Sequence, residues 1–203
     1  MIELFLHLDK GIAQFISLYG NWLYIVLFFI IFGETGFVIM PFLPGDSLIF
    51  AVGTFAGANM LNILILIPLL LCAAILGNYL NYWIGQKFGL KIFKRYINKK
   101  YIVKTQNFYD KYGGKTLIFA RFTPIIRTVA PFMAGVGNMK WSTFSKYTII
   151  GSLLWVGGYL MLGFLFGNIP IVKNNFSVVI ILVVLISFIP IIVDYIQNRK
   201  VYK

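Results

Sequence analysis

The stretch Glu34-Thr-Gly-Phe-Val-Ile-Met-Pro41-Phe-Leu-Pro44-Gly45-Asp46-Ser47-Leu-Ile-Phe50 sets two acids inside an otherwise apolar run. A second stretch answers it with cations: Phe119-Ala-Arg121-Phe-Thr-Pro124-Ile-Ile-Arg127-Thr-Val-Ala-Pro131-Phe-Met-Ala-Gly135. Proline removes a backbone donor and disfavours helix in the residue before it, and Gly45 supplies a turn. The spacing therefore predicts two half-helices meeting at Pro44-Gly45, within residues 36–59, and a matching broken segment over 116–136. An arm of about ten residues reaches roughly 15 Å, half of a hydrocarbon layer. The reading is of two re-entrant hairpins shaped by Pro41, Pro44, Gly45, Pro124, Pro131 and Gly135. A single proline-kinked spanning helix is the alternative for the first.

Composition agrees with a membrane setting. Of 203 residues, 60% are hydrophobic and 12% charged, with a mean hydropathy of +0.85, far from an ordinary soluble domain. Lys and Arg number 18 against 6 acids. Much of that surplus lies between Lys87 and Lys115, where Asp110 is the one acid. The positive-inside rule puts this window, with an amphipathic helix in it, in the cytoplasm against anionic lipid headgroups rather than nucleic acid. No signal-peptide pattern precedes the first apolar run. Cys72 and His7 each stand alone, so neither a disulfide framework, a metal site nor a nucleophile-base pair is expected, and no cofactor is implied.

Along the chain, residues 1–20 read as an interfacial helix or as the start of the first span. Residues 21–86 form a first half, with a plain spanning helix from Ile63 to Gln86 in which Asn78 and Asn81 mark close helix packing. The basic 87–115 segment follows. Residues 116–166 form a second half, with a glycine-rich span from Trp141 to Phe166, and a last span covers 176–194 before Arg199, Lys200 and Lys203. One crossing separates the two broken segments, so they open to opposite faces. The expected fold is an all-α integral membrane domain, an inverted repeat of two opposed re-entrant hairpins, with both termini cytoplasmic. Transporters of this design bind cargo at mid-depth, where broken helices meet.

Charges within a bilayer cost about 2.5 to 3.5 kcal/mol each on insertion scales and mark function by default. Arg121 and Arg127 stay protonated and offer planar forks matched to phosphate oxygens. Pro124 between them frees both from a common helical face. Glu34 and Asp46 can titrate: an apolar pocket raises a carboxyl pKa and a nearby guanidinium lowers it, so bound phosphate could change which acid holds a proton. The structural alternatives are Asp46 as N-cap of a helix starting at Ser47 and four charges that simply pair.

At these residues the chain resembles the DedA family of bacterial inner-membrane proteins, within the superfamily sharing the VTT (SNARE-associated) domain. The pattern is Glu34, then Pro41-Phe-Leu-Pro44-Gly45-Asp46-Ser47, then Phe119-Ala-Arg121-Phe-Thr-Pro124-x-x-Arg127-Thr-x-x-Pro131-x-x-Ala134-Gly135, then Met139 and Phe144. The resemblance implies a multi-pass protein of the bacterial cytoplasmic membrane that returns a carrier lipid, undecaprenyl phosphate, across the bilayer, linked to the proton motive force. It puts the acidic pair on Glu34 and Asp46 and the essential arginines on Arg121 and Arg127. Passive scrambling, transport of another lipid, lipid modification and a structural scaffold are the rival readings. Oligomeric state stays open.

Overall fold

Six helices carry the described residues of the computed structural model, which are 8–37, 45–96, 112–122 and 124–170. In chain order they are α1 (Leu8–Gly36), α2 (Gly45–Gly57), α3 (Ile63–Tyr96), α4 (Lys115–Ala120), α5 (Pro124–Val136) and α6 (Trp141–Gly167). Among the described residues there is no strand. Pro41, Pro44, Thr123, residues 97–111 of the basic segment and the 176–194 span lie outside them.

Among the described residues, two helices are long and apolar enough to cross a membrane, Ile63–Gly89 within α3 and α6 itself, each of 27 residues. At 1.5 Å per residue each is about 40 Å long, more than the hydrocarbon core needs. Helix α1 is continuous from Leu8, so the expected N-terminal helix and the first apolar run are one element. Helix α3 runs on through Tyr96, ten residues past Gln86, into the basic window. Asp46 lies in the first turn of α2, which starts at Gly45 rather than Ser47. A carboxylate there meets the positive end of the helix dipole.

Two compact units result. One comprises Phe28–Leu43 and Leu70–Val156; the other comprises Met1–Leu27, Pro44–Leu69 and Gly157–Lys203. In the first, α5 lies along α3 in the same direction. Asn81 meets Thr128, a Cβ at Gly85 would overlap the Phe132 carbonyl, and one at Gly89 would overlap the Val136 side chain. Each step is four residues on both helices. Helix α4 packs on α6 likewise, Gly114 against Tyr147 and Ile118 against Gly151. A cluster of Tyr82, Leu117, Ala120, Ala130, Ala134 and Phe144 fills the space between, with the Tyr82 and Phe144 rings stacked at 4.3 Å. In the second unit, α2 lies along α6, with Gly53 and Gly57 seated against the backbone at Leu160–Gly163 and Phe164–Gly167. Missing Cβ atoms let backbones approach this closely, and in lipid that packing holds helices together.

The two 13-residue helices α2 and α5 also end alike. After α2, Asn59 takes a left-handed conformation (φ 62°) and Met60 N–H reaches back to the Phe55 carbonyl. After α5, Asn138 does the same (φ 51°) and Met139 N–H reaches back to the Ala134 carbonyl. Asparagine tolerates that region better than other side chains, and the wrap satisfies carbonyls the helix end leaves over. The pairs Asn59-Met60 and Asn138-Met139 thus close two equivalent helices.

A substitution at Gly85 tests the packing. Gly85→Ala places a Cβ on the Phe132 carbonyl, where backbone must move, and is expected to cost about 1 to 3 kcal/mol. Gly157→Ala meets nothing within 4 Å and is expected to be neutral or stabilising. Thermal unfolding of the two detergent-solubilised variants should separate them by several degrees.

Candidate functional site: a buried ion pair beside a helix break

Pro124 does what its chemistry dictates. Helix α4 stops at Ala120, Arg121 and Phe122 form a turn, and α5 starts at Pro124, where a missing N–H costs nothing. Both arginines flank this break. Arg121 and Arg127 are each only 4% exposed. Pro131, by contrast, sits inside α5 and does not end it. The helix tolerates it eight residues in, at the expense of one donor to the Arg127 carbonyl.

Arg127 Nη2 donates to Glu34 Oε1 across 93 positions of chain. Glu34, in the last turn of α1, is fully buried. The Arg127 guanidinium also lies 4.7 Å from the centre of the buried Trp155 ring, a cation over an aromatic face. Arg121 Nη2 donates to the Thr148 carbonyl at 3.2 Å. Its Nη1, also buried, has no hydrogen-bond partner among the described residues. Gly151 makes room for this arginine: a Cβ there would stand 2.7 Å from its Nε and 2.9 Å from its Cδ.

Three of the four expected charges, Glu34, Arg121 and Arg127, therefore fall in one unit and are buried in it. Asp46 belongs to the other unit, partly buried in α2. Gly135 shapes packing rather than a turn, since a Cβ on it would overlap the Tyr82 carbonyl. Sequence reasoning did not single out Trp155 or Thr148, and it read Gly151 and Asn81 only as packing residues. The signal for Asn81 was present: Gly77, Asn81, Gly85 and Gly89 recur every four residues, one face of α3.

Chemically, the described part of this unit buries two guanidiniums and one carboxylate. The pair cancels; one positive charge with an open donor is left over. Such a site attracts an anion. Gly151→Ala, which pushes on Nε and Cδ rather than on the flexible tip, should displace Arg121 and lower anion affinity about tenfold, the equivalent of one weakened charged hydrogen bond. Titration calorimetry of the purified protein with inorganic phosphate reads this directly.

An all-helical protein with membrane-grade helices around a buried ion pair is the class that these features define. Residues 43–165 match the model of the VTT domain. The chain is 43% identical to Protein DedA of Escherichia coli K12, over 98% of its own length and 94% of that protein's. It is 37% identical to an uncharacterized membrane protein of Mycobacterium tuberculosis, covering 81% and 75% of the two chains. It is 31% identical to Inner membrane protein YghB of E. coli K12, covering 75% and 71%. No solved structure matches. The chain belongs to the DedA family of VTT-domain membrane proteins.

Proposed function

We propose that this protein is a lipid-phosphate translocase of the bacterial cytoplasmic membrane, driven by the proton gradient, whose cargo is undecaprenyl phosphate. The observation that carries the proposal is the excess of buried guanidinium over buried carboxylate beside the α4–α5 break, with Arg121 Nη1 unpartnered among the described residues. A phosphate monoester carries charge of up to two and several acceptor oxygens, and two arginine forks match it. The polyprenyl tail stays in lipid while the headgroup enters.

In this reading Glu34 competes with the phosphate for Arg127. Protonation of Glu34 releases the guanidinium to the cargo, and loss of the proton restores the pair and expels it. Asp46 shares the coupling role. The two broken segments are opposed re-entrant hairpins of an inverted repeat. Support comes from the equal lengths of α2 and α5, their like Asn-Met ends, and the parallel seating of α2 on α6 and of α5 on α3. The basic end of α3 faces the cytoplasm and its anionic lipids, as do both termini; Lys87 lies 4.3 Å over the exposed Trp83 ring, an arrangement suited to a headgroup interface.

The test is flipping of a labelled polyprenyl phosphate by the purified protein in vesicles with an imposed pH gradient. Directional movement with the gradient supports the proposal. Equal rates with and without it would make the protein a passive scramblase, and movement of neutral lipids at the same rate would remove the phosphate site.

A further inference from the structure

We infer that Asn81 is the positioning residue of the Glu34–Arg127 pair. Its amide nitrogen donates to two carbonyls on two other helices, Thr35 on α1 at 3.1 Å and Thr128 on α5 at 2.8 Å. Thr35 directly follows Glu34, and Thr128 directly follows Arg127. One fully buried side chain thus grips the backbone one residue beyond each ion-pair partner. It sets the register of α1 against α5 where the two charges must meet.

The stripe on α3 shows why this is not ordinary packing. Gly77 faces α1, at Phe32 and Thr35, and Gly85 and Gly89 face α5. Asn81, midway, touches both. A glycine or alanine would carry the close approach, and a buried amide is costly unless its hydrogen bonds are made. The amide oxygen has no partner among the described residues, so both of its gains lie in the two N–H bonds. The Thr35 carbonyl is one of the last four of α1, which the helix itself cannot pair. The neighbouring Asn78 differs: equally buried, it bonds the Ala74 carbonyl of its own helix.

The inference does not depend on the cargo and is tested without transport. The coupling between Glu34 and Arg127 is read from melting midpoints of the wild type, Glu34→Gln, Arg127→Gln and the double variant, in one detergent. The cycle is then repeated in Asn81→Leu, which keeps the branched shape but not the donors. Asn81→Leu alone should lower the midpoint by on the order of 5 °C. The non-additivity of the pair should fall to below about half its wild-type value. Asn81→Ser, smaller and able to keep one bond, serves where the leucine variant does not purify, and should give an intermediate coupling. Asn78→Leu should leave the coupling at its wild-type value. Undiminished coupling in Asn81→Leu or Asn81→Ser, or an equal loss in Asn78→Leu, overturns the inference.

Discussion

Under the proposed function, Arg127→Lys is expected to abolish most transport while leaving a folded protein. Lysine keeps the charge, so Glu34 retains a partner and the penalty of about 3 to 5 kcal/mol for stranding a buried charge is avoided. What lysine lacks is the planar fork: once Glu34 lets go, it cannot present two parallel donors to a phosphate, nor lie flat over Trp155. Losing one charged hydrogen bond is worth about 1.5 to 3 kcal/mol, so flipping should fall roughly tenfold to a hundredfold. Two measurements check this together, the flipping rate of a labelled polyprenyl phosphate in vesicles and the melting midpoint in detergent. Full activity of the lysine variant would take Arg127 out of headgroup binding. Unfolding of the variant would show that the arginine acts through packing.

Collapsing the proton gradient is the second large effect. If Glu34 must gain a proton on one side to yield Arg127 and lose it on the other to reclaim it, a protonophore removes net transport in the wild type. Each pH unit across the membrane is worth about 1.4 kcal/mol per proton, a tenfold bias in distribution. Glu34→Gln mimics the protonated acid permanently. It should bind phosphate without competition, exchange it in both directions and ignore the protonophore. A wild-type rate indifferent to the gradient would leave the carboxylate as a structural partner only, and a glutamine variant that still accumulates cargo against a gradient would move the coupling to another acid, Asp46 first.

The elements legible in the sequence were those set by composition over many residues. Ile63–Gln86 and Trp141–Phe166 read as spanning helices and appear as α3 and α6, because runs of more than twenty mostly apolar residues with few charges leave little other choice. The break between Arg121 and Arg127 was equally legible, since Pro124 disfavours helix in the residue before it and suits the first position of a new one. Boundaries were harder. α1 continues through Leu8–Gly36 although Asp9, Lys10 and Gln14 dilute its apolar pattern, and Pro131 rides inside α5. At Pro131 the close seating of α5 on α3 outweighs the local preference.

Composition and spacing alone therefore determined that the chain is a helical membrane protein, that it is broken ahead of Pro124, and that its embedded charges are the residues to follow. Only the tertiary structure decided which charges meet. Glu34 finds Arg127 from 93 residues away, Trp155 lies against the same guanidinium, and Asn81 takes one carbonyl from each side. Those contacts depend on which glycines allow two backbones to touch, and a four-residue stripe announces a close approach without naming the helix that makes it.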